Sequence, residues 1–274
     1  MTAVTITSGA ASIIKPDGTN LVAPTYFGTG GGVLDSQVLP TTGTYAILVD
    51  PASTYTGTVT LTLYNQPDVT GTITVGGATV TPTLTVPGQR ARYTFSGSAG
   101  QSVSLGFTSV TFPSVTLSLV KPDGTTWAVT NLGTSGGSQD PMALPIAGTY
   151  SVVVDPDGFS TGSLTVTLSS EVTGTVTINA APVLVTLARA GQNARYTVVG
   201  TAGQQITVQI TGNTLGAVNL TVYNPDGSVL TGGGSSAANW MLAVGSLPTT
   251  GTYTITVNPS TTATGILNLQ VTNP

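Results

Sequence analysis

Apolar and polar residues alternate along much of this chain with a period of two. Val59, Leu61 and Leu63 are separated by Thr60 and Thr62, and Leu164, Val166 and Leu168 by Thr165 and Thr167. In a strand, successive side chains point to opposite faces, so each run predicts a half-buried β-strand with a threonine ladder outside. Val69, Gly71, Ile73 and Val75 repeat the pattern, as do Val172, Gly174, Val176 and Ile178. The β-branched Val and Thr that dominate these runs favour strand over helix, and helix is expected to be nearly absent.

The strands recur as a larger unit. LPTTGTYAILVDP begins at Leu39, LPIAGTYSVVVDP at Leu144 and LPTTGTYTITVNP at Leu247, spacings of 105 and 103 residues, which is the size of one β-sandwich domain. A PDG turn precedes each copy (Lys15 to Gly18, Lys121 to Gly124, Asn224 to Gly227), and an alternating strand follows each at Thr56, Thr161 and Thr264. In these hairpin turns proline presets φ, the aspartate (Asp17, Asp123, Asp226) caps its own backbone, and the glycine (Gly18, Gly124, Gly227) takes the positive φ. Tyr45, Tyr150 and Tyr253 open Val-rich strands in the manner of a tyrosine corner, whose hydroxyl bonds a backbone group upstream, and are expected to have buried rings.

The spacing divides the chain into residues 1–67, 68–170 and 171–274. The second and third units open with a block running from Val69 and Val172 to Gln101 and Gln204 that has no counterpart in the first. The first unit is therefore expected to be an incomplete sandwich, short of about two strands, with unpaired edges that another chain could complete by strand addition. The C-terminal QVTNP leaves no obvious spare strand to donate. Four-residue joints, Asn65 to Asp68 and Ser169 to Val172, predict restricted motion between units and an extended rod.

RYTFSGSAGQSVSL from Arg92, VTLSLVKPDGT from Val115, LPIAGTYSVVV from Leu144 and GSLTVTL from Gly162 together give the unit an identity. It resembles the bacterial pre-peptidase C-terminal domain family, β-sandwich modules of secreted and cell-surface proteins. The resemblance implies an all-β chain of tandem jelly-roll or Greek-key antiparallel β-sandwiches with about eight strands per complete repeat, and an extracellular or cell-surface location. It also brings in calcium, which some members hold through clustered acidic residues.

Composition narrows the chemistry. With no histidine and no cysteine, the usual catalytic triads, thiol nucleophiles and imidazole or thiolate metal sites are excluded. The ten carboxylates are scattered; Asp155 and Asp157, which flank Pro156, are the candidate cation ligands, although no cofactor is expected. Six basic residues against a net charge of −4 offer no phosphate-binding patch, so nucleic acid is not an expected partner. Thr, Ser, Gly or Pro interrupts every apolar run before about 18 residues, so no membrane span is expected.

Arg92 and Arg195 alternate with apolar neighbours and are expected to point outward, within reach of a carboxylate. Glu171, at a joint, has no second carboxylate placed to support hydrolysis. Trp127 and Trp240 have no aromatic equivalent in the other units; core or interdomain packing is their expected role, and a ligand platform the competing one. These features describe a non-enzymatic structural repeat protein, a stalk or fibre subunit whose partners are copies of itself or adjacent repeats. The alternative is a module that binds a polysaccharide or matrix protein.

Overall fold

The computed structural model describes residues 1–65 and 67–274; Gln66, inside the expected joint Asn65 to Asp68, lies outside the described residues. Among them every regular element is a β-strand. The first unit holds β1 (Ser8–Ile14), β2 (Asn20–Gly28) and β3 (Ala46–Pro51). The second holds β4 (Val69–Thr72), β5 (Thr83–Leu84), β6 (Ala91–Gly97), β7 (Ser102–Thr108), β8 (Val115–Val120), β9 (Thr126–Leu132), β10 (Gly137–Ala143), β11 (Gly148–Pro156), β12 (Gly162–Ser163) and β13 (Thr165–Ser169). The third holds β14 (Val172–Thr175), β15 (Val183–Leu187), β16 (Ala194–Gly200), β17 (Gln205–Thr211), β18 (Val218–Tyr223), β19 (Val229–Ser235), β20 (Trp240–Ser246), β21 (Gly251–Pro259) and β22 (Gly265–Thr272).

The third unit is a five-on-four sandwich, with strand orders β14-β16-β21-β18-β19 and β15-β22-β17-β20. The second repeats it: β4-β6-β11-β8-β9 faces β10-β7-β13, and β12-β5 continues that second layer. Each repeat thus carries nine strand positions where about eight were expected. The sheets are antiparallel except at one edge, where β4 runs parallel to β6 and β14 parallel to β16. Gly71 and Gly174 sit in those edge strands because the rings of Tyr93 and Tyr196 lie where a Cβ would stand.

Each complete sandwich closes over its own apolar core. Tyr150, Val152 and Val154 meet Leu164, Val166 and Leu168 in the second, and Tyr253, Ile255 and Val257 meet Leu267, Leu269 and Val271 in the third. Burying one such Leu or Val is worth about 1.5–3 kcal/mol, so these clusters dominate the stability of each repeat. The expected threonine ladder is not entirely external, since Thr167 is buried. The joint between the two sandwiches is also shorter than expected. β13 runs to Ser169 and β14 starts at Val172, leaving only Ser170 and Glu171 between them.

The first unit differs. Its three strands form one sheet, β2-β1-β3, whose order matches β9-β8-β11 of the second. Its buried core is Val4, Ile6, Ala11 and Phe27, with Met1, Leu34, Val49 and Val59 packed against it. Residues 56–63, expected to be a strand, make one isolated bridge from Thr60 to Thr2 and accept a bond from Thr5 N at Thr58 O. In the second unit the equivalent strand, β13, pairs along β7. Alternation prepares a strand, but a neighbour must supply the ladder.

This contrast is measurable at one repeated position. Leu168→Ala should destabilise the second unit by about 2–5 kcal/mol, in urea unfolding followed by Trp127 fluorescence with Trp240 replaced by Phe. The equivalent Leu63→Ala should leave the unfolding transitions within about 0.5 kcal/mol of the parent.

Candidate functional site

The repeated motifs touch one another. In each hairpin turn the glycine N–H donates to the carbonyl of the first turn residue at 2.9 Å: Gly18 to Lys15, Gly124 to Lys121, Gly227 to Asn224. The three glycines have φ of 82°, 82° and 84°, a region disfavoured for side chains with a Cβ. Asp17, Asp123 and Asp226 each accept two bonds from the residue two places on. The backbone N–H of Thr19, Thr125 or Ser228 lies at 2.9 Å, and the hydroxyl of the same residue donates as well.

The turn proline then packs against the GTY motif. A Cβ on Gly43, Gly148 or Gly251 would fall 2.6–2.7 Å from the ring of Pro16, Pro122 or Pro225. That contact explains why glycine precedes each Thr-Tyr pair. Two residues further, Tyr150 donates its hydroxyl proton to Ile146 O at 2.7 Å and Tyr253 to Thr249 O at 2.7 Å, both rings fully buried. Tyr45 makes the same bond to Thr41 O at 2.8 Å, but its ring is only half-buried, against expectation. Phe95 of β6 stacks on Tyr150 at 5.5 Å, whereas β3 has no strand on that side.

The candidate cation ligands do not converge. Ser114 donates its hydroxyl proton to Asp157, while Asp155 lies 3.8 Å from Arg90. Burial pushes the Asp155 carboxyl above its ordinary value; Arg90 opposes this, and Asp35, Asp157 and Asp68 add to it. Among the described residues no three His, Cys, Asp or Glu side chains group as metal ligands. Trp127 is half-buried and tilted against Tyr150 at 6.4 Å. Trp240 is half-buried on the third core, with its indole N–H enclosed and without a partner among the described residues. Arg195 pairs with Glu171 through Nε and Nη2 at 3.1 and 3.3 Å, which fixes that carboxylate structurally.

The most elaborate polar construction lies at the joints, on residues that the sequence did not single out. Gln192 accepts from Ala188 N through Oε1 and donates from Nε2 to Ser170 O in the joint, both at 3.1 Å. Gln89 does the same with Thr85 N at 3.1 Å and Pro67 O at 3.4 Å. Arg189, from the third unit, donates to Gly77 O at 2.6 Å, Ser169 Oγ at 2.9 Å and Leu168 O at 3.2 Å, all in the second. Beneath it Gly191 and Gly106 approach so closely that a Cβ on Gly191 would meet Leu105 O at 2.6 Å and Gly106 Cα at 2.8 Å. At the first joint Arg90 donates to Ser36 Oγ and O at 2.8 and 3.0 Å. The Gly-Gln pair recurs in both blocks and was legible as a signal; Arg90 and Arg189 do not recur.

These contacts and the two-layer repeats define a class: tandem antiparallel β-sandwich repeats. The model of the bacterial pre-peptidase C-terminal domain matches residues 192–259, within the third sandwich. Such domains are non-catalytic modules of secreted or exported proteins. No curated protein sequence matches the chain.

Three solved structures show similarity of shape. The pre-peptidase C-terminal domain of Bacillus anthracis collagenase is 14% identical over 37% of this chain and 95% of its own, with a TM-score of 0.32. Aeromonas hydrophila PliG, a periplasmic inhibitor of g-type lysozyme, is 21% identical over 37% and 96%, with a TM-score of 0.27. The PBSX exported protein XepA is 11% identical over 72% and 86%, with a TM-score of 0.29.

Two measurements test this local chemistry. Tyr150→Phe should cost about 1 kcal/mol in urea unfolding, because Ile146 O loses its donor. In Asp123 the two bonds from Thr125 hold the carboxyl down at about 2 from 3.8, with Lys121 assisting. A depressed carboxylate stabilises the fold above its ordinary value and loses that contribution as pH falls through the folded one. Carboxyl NMR should therefore give a midpoint near 2 for Asp123, with the Thr125 amide shift following it.

Proposed function

We propose that this protein is a non-enzymatic structural repeat protein of the cell exterior, acting as a stalk or as the subunit of a surface fibre. The observation that carries the reading is the joint between the second and third sandwiches. Two linking residues, an arginine donating to three acceptors across the joint and an abutting glycine pair hold one sandwich against the next. A flexible tether for an enzyme needs none of this, whereas a spacer that keeps its shape does. The domain match at residues 192–259 supports an exported module. The uncovered first unit further suggests that neighbouring subunits join by strand complementation.

The competing reading, a polysaccharide- or matrix-protein-binding module, calls for aromatic faces turned to solvent. Trp127 and Trp240 instead pack on the cores of their own sandwiches. Small-angle scattering decides between a spacer and loosely strung domains. One elongated form with a fixed spacing between the second and third units is expected, and a broad ensemble would refute the stalk. Arg189→Ala should broaden that spacing and lower the unfolding coupling between the two units by about 2 kcal/mol, since it removes hydrogen bonds from a charged donor.

A further inference from the structure

The apolar face of the first unit matches, position by position, the inner face of a complete sandwich. Leu39 is 57% exposed where Leu144 and Leu247 are 1% exposed; Leu63 is 82% exposed where Leu168 and Val271 are fully buried. Ile47 and Leu61, at 41% and 44%, correspond to Val152 and Val166, both 1% exposed. Beside them a hollow of about 380 Å³ opens along Leu39 to Tyr45. In the second unit Phe95 stacks on the equivalent tyrosine, and Leu144 packs where Gly97 leaves room.

The repeats also show what covers such a face. β11 is paired on both sides, with β6 and β8, and β21 with β16 and β18; among the described residues β3 is paired only with β1. On the covered side Ala91, Tyr93 and Phe95 stand opposite Val154, Val152 and Tyr150. In the other layer Leu105 of β7 stands opposite Leu168.

We propose that the first unit is the acceptor for a half-repeat carried by a neighbouring polypeptide, with the strand pattern of residues 69–108. The donor strand equivalent to β6 adds antiparallel to the free edge of β3 and sets its Phe, Tyr and Ala equivalents opposite Tyr45, Ile47 and Val49. The donor strand equivalent to β7 ladders along residues 60–63 with its Leu105 equivalent opposite Leu63. Backbone pairing supplies affinity, and the alternate side chains fix the register. The five acceptor side chains, Leu39, Tyr45, Ile47, Leu61 and Leu63, are uncharged, so apolar burial and not charge selects the partner. The inference rests on the fibre reading only for the source of the donor, a separate chain; the acceptor face stands without it.

The test uses the full chain, with residues 69–108 supplied at the C-terminal end of a soluble tag. Saturable one-to-one binding is expected, with new exchange protection at Ala46–Pro51 and residues 60–63. Leu61→Asp with Leu63→Asp lies on an exposed surface, so the chain stays folded, and should weaken binding at least about tenfold by placing charge in the interface. A donor with Phe95→Asp and Leu105→Asp should fail in the same way.

No binding overturns the proposal, as does binding that ignores these substitutions. A dimer that buries Leu61 and Leu63 face to face, with no strand added to β3, assigns the face to symmetric self-pairing and overturns it too. If the face is covered only when residues 69–108 are fused ahead of Met1, a separate donor is excluded. The stalk reading fails independently, in the scattering of the chain alone.

Discussion

A β-strand completes its backbone hydrogen bonds only through its neighbours, and in each complete repeat one strand holds the centre of the five-stranded layer. β11 and β21 carry the GTY motif, lie at the centre of the five-stranded layer and turn a tyrosine, two aliphatic residues and a proline-terminated end into the core. Everything else is placed from that strand. The hairpin turn reaches it through the proline ring against its glycine, the preceding loop through the tyrosine hydroxyl, and the opposite layer through Leu164 to Leu168. The hydroxyl bond is local, while the proline contact and the packing of the opposite layer join separate segments of the repeat.

Two kinds of feature were legible in the sequence. Period-two alternation located most strands, and the recurrence of KPDG, GTY and the closing strand placed the repeats. Both are local, or repeated, and need no knowledge of partners. What alternation could not show was pairing. Residues 56–63 alternate as well as residues 161–168 do, yet only the latter become a strand, because β7 and β5 lie beside them. Tyr45 shares its motif with Tyr150 and makes the same hydroxyl bond, but its ring lacks the cover that Phe95 and β6 provide. The parallel edge strands and the ninth strand position escaped for a related reason: they are properties of the sheet, not of the segment.

The joints were the least legible part. Arg189 and Arg90 act on carbonyl and hydroxyl oxygens of another unit, and no spacing rule connects residue 189 with residue 77. A guanidinium is suited to this work because its several donors lie in one rigid plane and stay charged at any ordinary pH. Because the acceptors are neutral, the joint depends less on ionic strength than an ion pair would. The sparse charge of this chain, 6% of residues, is thus consistent with a protein whose contacts between units are directional bonds and close glycine packing.

The same economy of charge sharpens the problem of the first unit. Natural sheets protect a free edge with lysine, proline, bulges or brevity, because an uncovered apolar edge recruits whatever strand it meets. β3 presents Ala46 to Val49 before its first charge, at Asp50, and the closing segment beside it ends in Leu61 and Leu63 without any charged residue between. On the proposed acceptor role, selectivity comes from shape and register. The second and third sandwiches show how demanding that register is. Gly97 and Gly200 leave space for a leucine side chain, so a strand displaced by one residue would put a side chain where only a glycine fits. An acceptor face that copies this geometry admits a strand of its own repeat plan far more readily than an arbitrary one.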